Sequence, residues 1–175
     1  AIATTVVNSN CGASNGYVTL GAVTGGVAPY TYNFNNLGYS AMTGYSGLAA
    51  GSYSLIVKDA NGCIYSTSVT IIDNLGPTAV ATYVANAGCG NSNGSVTIGG
   101  AVTGGTGPYV YAFNGGPYNA TTVYANLAAG TYVIVVKDAN GCTFTTSATI
   151  IDNPGPTAIA TTVVNASCGA ANGSV

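Results

Sequence analysis

The segment LAAGSYSLIVKDANGC at Leu48–Cys63 returns as LAAGTYVIVVKDANGC at Leu127–Cys142, and the opening AIATTVVN of Ala1–Asn8 returns unchanged at Ala158–Asn165. What folds once must fold again about 79 residues later, so the chain is a tandem array of small units. Cys11 and Cys89 lie 78 positions apart and Cys89 and Cys168 lie 79 apart, while the motif at Val23–Phe34 returns 79 later at Val102–Phe113. The residue gained is most simply the second glycine of Ile98-Gly99-Gly100-Ala101, set against Leu20-Gly21-Ala22, and a glycine inserted in a strand reads as a bulge. Two full units then cover 1–76 and 77–155, and 156–175 is the first strand and turn of a third. Each is long enough for a small sandwich with a modest core.

Alternation and turn residues place the strands. A β-rich run over Ala1–Asn10 ends in the turn CGASNG, followed by strands at Tyr17–Val23 and, after the Gly25-Gly26 and Pro29 breakers, at Tyr30–Phe34. Asn35–Gly47 is weakly patterned and holds one or two short strands. Ser52–Lys58 and Cys63–Ile72 form a hairpin about Asn61-Gly62. About seven short strands per unit, with no helical period, predict an all-β chain of tandem immunoglobulin-like β-sandwich repeats. Tyr53 and Tyr132, each just inside the penultimate strand after a tight loop, stand where such a sandwich keeps its tyrosine corner.

Charge decides which functions to set aside. Charged residues make up 3% of the chain, and the lysines Lys58 and Lys137 are the only cations, which argues against nucleic acid or an anionic membrane as partner. No run approaches the roughly 18 apolar residues of a membrane span, so insertion is not expected, and no signal peptide is present in this window. With no His and no Glu there is no base to activate the many Ser and Thr hydroxyls, so the chain reads as no enzyme, with no cofactor. An isopeptide bond from Lys58 or Lys137 needs a buried lysine, yet Tyr53, Leu55 and Val57 share the inward face and turn Lys58 outward.

The ordered motifs CGxxNG(S/Y), GGxxPYxYxF and LAAGxYxxxVKDANGC resemble the SprB-type repeat of Bacteroidota cell-surface and gliding adhesins, and more loosely other immunoglobulin-like and PKD-like modules of those bacteria. Phe34 and Phe113 stand where that pattern usually has tryptophan. The resemblance implies a large repetitive cell-surface or secreted parent, exported in that phylum by the type IX system.

The cysteines fit an oxidising compartment, each unit carrying two: Cys11 with Cys63 and Cys89 with Cys142, while Cys168 opens the next pair. Zinc is disfavoured by the lack of CxxC spacings and of His. Recurrence in every unit favours pairing within units, Cys11–Cys63 and Cys89–Cys142. Geometry favours a bond between units, Cys11–Cys142, because an immunoglobulin-like path puts Cys11 at the bottom of its sandwich and Cys63 at the top, roughly 25–35 Å away for strands of this length. A hairpin centred on Gly76 or Gly155 would instead pair Cys63 with Cys89 and Cys142 with Cys168. The DANG segments resemble the start of a calcium loop, and Asp73 with Asp138 are weak calcium candidates, but two acids per junction are few for that ion and a tight turn is the favoured reading.

Two further features bear on partners. Tyr132, Ile134 and Val136 facing inward leave Val133 and Val135 outside, as Ile56 is in the first unit, and apolar strips on a nearly uncharged surface suggest lateral packing against other copies. Tyr30, Tyr32, Tyr39 and Tyr45, matched by Tyr109, Tyr111, Tyr118 and Tyr124, offer aromatic platforms for a glycan, although core and sheet-face roles are commoner for such residues. Sequons stand at Asn93, Asn119, Asn165 and Asn172. The expectation is a structural, extracellular filament or adhesin segment whose Pro-containing linkers limit bending, with neighbouring repeats and other copies of itself as partners. The alternative is a glycan- or surface-binding adhesin module on a flexible stalk.

Overall fold

Alternating β-branched residues and glycine-rich turns give the first sandwich nine strands: β1 (Ile2–Val7), β2 (Ser9–Asn10), β3 (Gly16–Val23), β4 (Thr31–Phe34), β5 (Tyr39–Ser40), β6 (Gly44–Leu48), β7 (Gly51–Lys58), β8 (Ile64–Ile71) and β9 (Asp73–Asn74). The computed structural model describes all 175 residues. The second sandwich repeats the pattern with β10 (Pro77–Ala85), β11 (Ala87–Gly88), β12 (Gly94–Gly104), β13 (Val110–Phe113), β14 (Val123–Leu127), β15 (Gly130–Lys137), β16 (Thr143–Ile150) and β17 (Asp152–Asn153). The counterpart of β5 is a single bridge, Tyr111 with Asn119. There is no helix, and so none long and apolar enough to cross a membrane.

One sheet of the first sandwich has the order β1-β3-β6 and the other β5-β4-β7-β8, while the second sandwich has β10-β12-β14 and β13-β15-β16. The chain crosses between sheets after β3 and again on either side of β6, which is the Greek-key path of an immunoglobulin-like sandwich. No strand pairs with a strand of the other sandwich.

Period-two burial shows why the sheets face each other. Leu55 and Val57 on β7 point inward against Val18 and Leu20 of β3, with Val69 and Ile71 of β8 completing the layer. Phe34 is 1% exposed and stacks on Tyr45 at 4.2 Å and Tyr53 at 5.5 Å between centroids. The second core rebuilds the stack with Phe113, Tyr124 and Tyr132, packed against Val96, Ile98, Ile134 and Ile150. Burying a side chain of Leu55's size stabilises by about 2 kcal/mol. With only 23 of 175 residues buried, such terms are few, and turn hydrogen bonds and cross-links weigh correspondingly more.

The gained residue sits in a bulge. In the first unit Ile2 faces Val23 and Thr4 faces Leu20, so three steps on β3 match two on β1. In the second, Val80 faces Val102 and Thr82 faces Ile98, so four steps match two. A bulge already present is widened by one residue, with Gly100 taking a φ of 92°.

Candidate functional site: the joint between the sandwiches

At the bottom of the first sandwich the chain leaves β1 and crosses to β9, making a two-residue parallel pairing in which Ser9 faces Asp73 and Asn10 faces Asn74. Asp73 fixes the turn that follows. Its Oδ2 accepts the Gly12 N–H at 2.9 Å and its Oδ1 the fully buried Ser9 hydroxyl at 3.2 Å. The Cys11 N–H donates to the Asn74 carbonyl at 3.1 Å. Cys11 and Gly12 both hold left-handed backbone, at φ 61° and 70°, which carries the thiol out beside the linker Leu75-Gly76.

From the other side the second sandwich offers the β15–β16 hairpin. Asp138, 4% exposed, ties it together: Oδ1 accepts the N–H groups of Asn140 at 3.0 Å and Cys142 at 2.8 Å, and Oδ2 reaches across to the Thr106 N–H at 3.0 Å. This Asx-type turn seats Cys142, 3% exposed, against the linker, its Sγ 3.7 Å from the Asn74 carbonyl oxygen. A Cβ at Gly76 would come 2.5 Å from Cys142 Cβ, so only glycine lets the backbone pass there. Across this gap Cys11 and Cys142 form a disulfide with a Cα–Cα distance of 5.2 Å and a sequence separation of 131.

The within-unit pairs Cys11–Cys63 and Cys89–Cys142 are therefore corrected. Cys63 lines a cleft with Ala1 and Thr24 at the end of the sandwich opposite Cys11, and Cys142 is already engaged. The fold-back pairs Cys63–Cys89 and Cys142–Cys168 do not form either: Cys63, Cys89 and Cys168 are exposed free thiols.

The acids named as weak calcium candidates, Asp73 and Asp138, spend their carboxylates on the hydrogen bonds just described. No three His, Cys, Asp or Glu residues gather into a group that could hold a metal ion. Asp59, the first unit's counterpart of Asp138, accepts the N–H groups of Asn61, Cys63 and Val27.

Most of the tyrosines serve the fold. The hydroxyl of Tyr53 donates to the Ala49 carbonyl at 2.8 Å and that of Tyr132 to Ala128 at 2.9 Å, each spanning the corner before its strand. Tyr30 and Tyr109 close their loops on the Gly25 and Gly104 carbonyls. Tyr45 donates to Met42, and Tyr124 to Thr121, where desolvation raises the Tyr124 phenol above its ordinary pKa and keeps it a donor. Tyr32 is buried and Tyr111 half-buried. Tyr39 and Tyr118 each receive a lysine ammonium, Lys58 and Lys137, at 4.0 Å from the ring centroid. In the first unit the pair reaches across β4, from Tyr39 on β5 to Lys58 on β7, and the constant 79-residue offset of both members was the only signal for such pairs in the sequence.

The SprB repeat model matches residues 3–38 and 81–117. No curated protein matches the chain. Among solved structures, murine CEACAM1b aligns with 86% of the chain and all of its own at 9% identity and a TM-score of 0.37. The tandem Ig repeats of Dlar align with 89% of the chain and all of theirs at 10% identity and a TM-score of 0.26. The Yersinia pseudotuberculosis adhesin InvE aligns with 85% of the chain and 60% of its own at 16% identity and a TM-score of 0.24.

Proposed function

Because this chain carries SprB repeats at 3–38 and 81–117, we propose that it is a structural segment of a long cell-surface or extracellular array, non-enzymatic, working by tandem stacking and lateral self-packing. The joint carries the reading. A two-residue linker between β9 and β10, a glycine that only the disulfide's close approach explains, and a bond that closes 131 residues are features of units held in one orientation. That bond supports an oxidising location outside the cell. Lateral packing rests on exposed apolar side chains such as Ile64, Ile72, Val123 and Val133 on a surface with almost no charge to keep copies apart.

Electron microscopy of native, unreduced material tests this. Ordered filaments with a fixed angle between successive units are expected, loosening when reductant is added. Separate beads on a flexible thread, with or without reductant, would sink the stacking claim.

A glycan-binding reading has one observation in its favour: Tyr39 and Tyr118, each 42% exposed, recur at the same place in both units. The lysine over each ring already occupies one face, which supports a structural use. Retention on a glycan array that disappears in the double variant Tyr39→Ala, Tyr118→Ala would favour the adhesin module instead.

A further inference from the structure

The cysteines left free have the same local geometry as the two that are bonded. Cys89 holds a φ of 56° against 61° for Cys11, donates its N–H to Asn153 as Cys11 does to Asn74, and is followed by Gly90, whose N–H donates to Asp152 as that of Gly12 does to Asp73. Its Sγ lies 3.5 Å from where a Cβ on Gly155 would stand, facing the second linker as the first disulfide faces Gly76. At the other end, the Cys63 N–H donates to Asp59 Oδ1 at 2.8 Å, the distance Cys142 keeps to Asp138.

We infer that Cys89 is the half-site for the hairpin cysteine of the following unit and Cys63 for the turn cysteine of the preceding one, and that these bonds make the oxidised array two interleaved covalent cables. The extension beyond this chain rests on the tandem-array reading. Each bond forms as two thiols surrender two protons and two electrons to a disulfide-bearing oxidant, through thiol–disulfide exchange, and the oxidant leaves as a dithiol.

The cable follows from the connectivity. From Cys63 the main chain runs down β8 and β9, through the linker and along β10 and β11 to Cys89, crossing both sandwiches from one end to the other. Between those cysteines only Ile72, Leu75, Gly76 and Asn86 lie outside strands. Strand backbone rises about 3.3 Å per residue, and a fully extended chain reaches at most roughly 3.3–3.6 Å, so this path is nearly taut in the folded state. At Cys89 the disulfide hands the load to the hairpin cysteine of the next unit, where the same path begins again. Each cable thus advances two units for 26 residues of backbone, the separation of Cys63 and Cys89. A second cable, entered at Cys142 and left at Cys168, runs staggered by one unit. The stretches from Cys11 to Cys63 and from Cys89 to Cys142 bridge one cable to the other, off the line of tension. Pulling on such an array cannot lengthen it by unfolding its sandwiches.

The test is force spectroscopy on a native array of an even number of units, at least four, held at its ends, before and after reductant, with peptide mapping of the unreduced material. The result expected is no unfolding step in the oxidised array and, once reduced, steps that each release one 79-residue unit, about 260–280 Å of extended chain less the length the folded unit already spans. Mapping is expected to join the Cys63 peptide to the turn cysteine of the preceding unit. Full-length steps before reduction, or free thiols at Cys63 and Cys89 in the native array, would overturn the cables. An ordered filament that still gave full-length steps would leave the stacking role standing and remove only this inference, whereas taut cables in material that forms no filament would do the reverse.

Discussion

Replacing Cys142 with serine removes the bond at the joint, and the cost follows from which loops that bond closes. While the second sandwich stays folded, Pro77 and Cys142 are held close together, so unfolding the first sandwich releases a chain still pinned at Cys11 and Pro77, 66 residues apart. Chain entropy makes that constraint worth about 4 kcal/mol at 25 °C. The converse case, with the first sandwich folded, pins Asn74 and Cys142, 68 residues apart, for about the same. With both unfolded the loop is the full 131 residues, worth about 5 kcal/mol in total. The bond therefore adds about 4 kcal/mol against whichever sandwich opens first and only about 1 kcal/mol against the second, which couples them. At about 4–8 °C per kcal/mol for domains of this size, the serine variant should begin to melt roughly 15–30 °C lower. Calorimetry of the unreduced chain should show one transition, and Cys142→Ser or reduced material two resolved ones at lower temperature. Two peaks already present in the oxidised protein, or a shift below about 5 °C, would refute the coupling.

Three other outcomes follow from the same contacts. Gly76→Ala places a Cβ 2.5 Å from Cys142 Cβ, so the disulfide should fail to close and a thiol titration should rise from three free groups towards five. Asp138→Ala leaves the N–H groups of Thr106, Asn140 and Cys142 without their acceptor, at about 1–3 kcal/mol for each one left buried; hydrogen exchange should quicken at this hairpin, and less so for Asp59→Ala, whose turn is more open to water. Tyr53→Phe and Tyr132→Phe each lose one hydroxyl bond across a corner and should cost about 1 kcal/mol apiece in denaturant melts; values differing by more than that would mean the two corners are not equivalent.

The faces of the strands were legible because side-chain alternation is local: Leu55 and Val57 lie inward, and Val133 lies outward at 42% exposure, as a period of two requires. The inserted glycine was legible for the same reason, since two nearly identical stretches could be laid against each other. The crossing of the chain from β1 to β9 was not. It rests on Ser9, Gly12 and Asp73 meeting across more than 60 residues, and a single aspartate carries no mark of its distant partner. The roles of Asp59 and Asp138 were half visible. DANG announces a turn, but nothing in it tells that each carboxylate also reaches over to Val27 or Thr106 on a different loop. For the cysteines, recurrence within each unit pointed to partners that lie at opposite ends of one sandwich, whereas the immunoglobulin-like path, with Cys11 at the bottom and Cys63 at the top, pointed to the Cys11–Cys142 bond found at the joint.

The widened bulge in β12 bears on how units of unequal length can share one array. Val80 still faces Val102 and Thr82 still faces Ile98, as Ile2 faces Val23 and Thr4 faces Leu20, so the extra residue swells sideways and the register resumes on either side. In the proposed array, axial pitch would thus be set by the strands that flank the bulge, and the number of residues inside it could drift without throwing the next joint out of step.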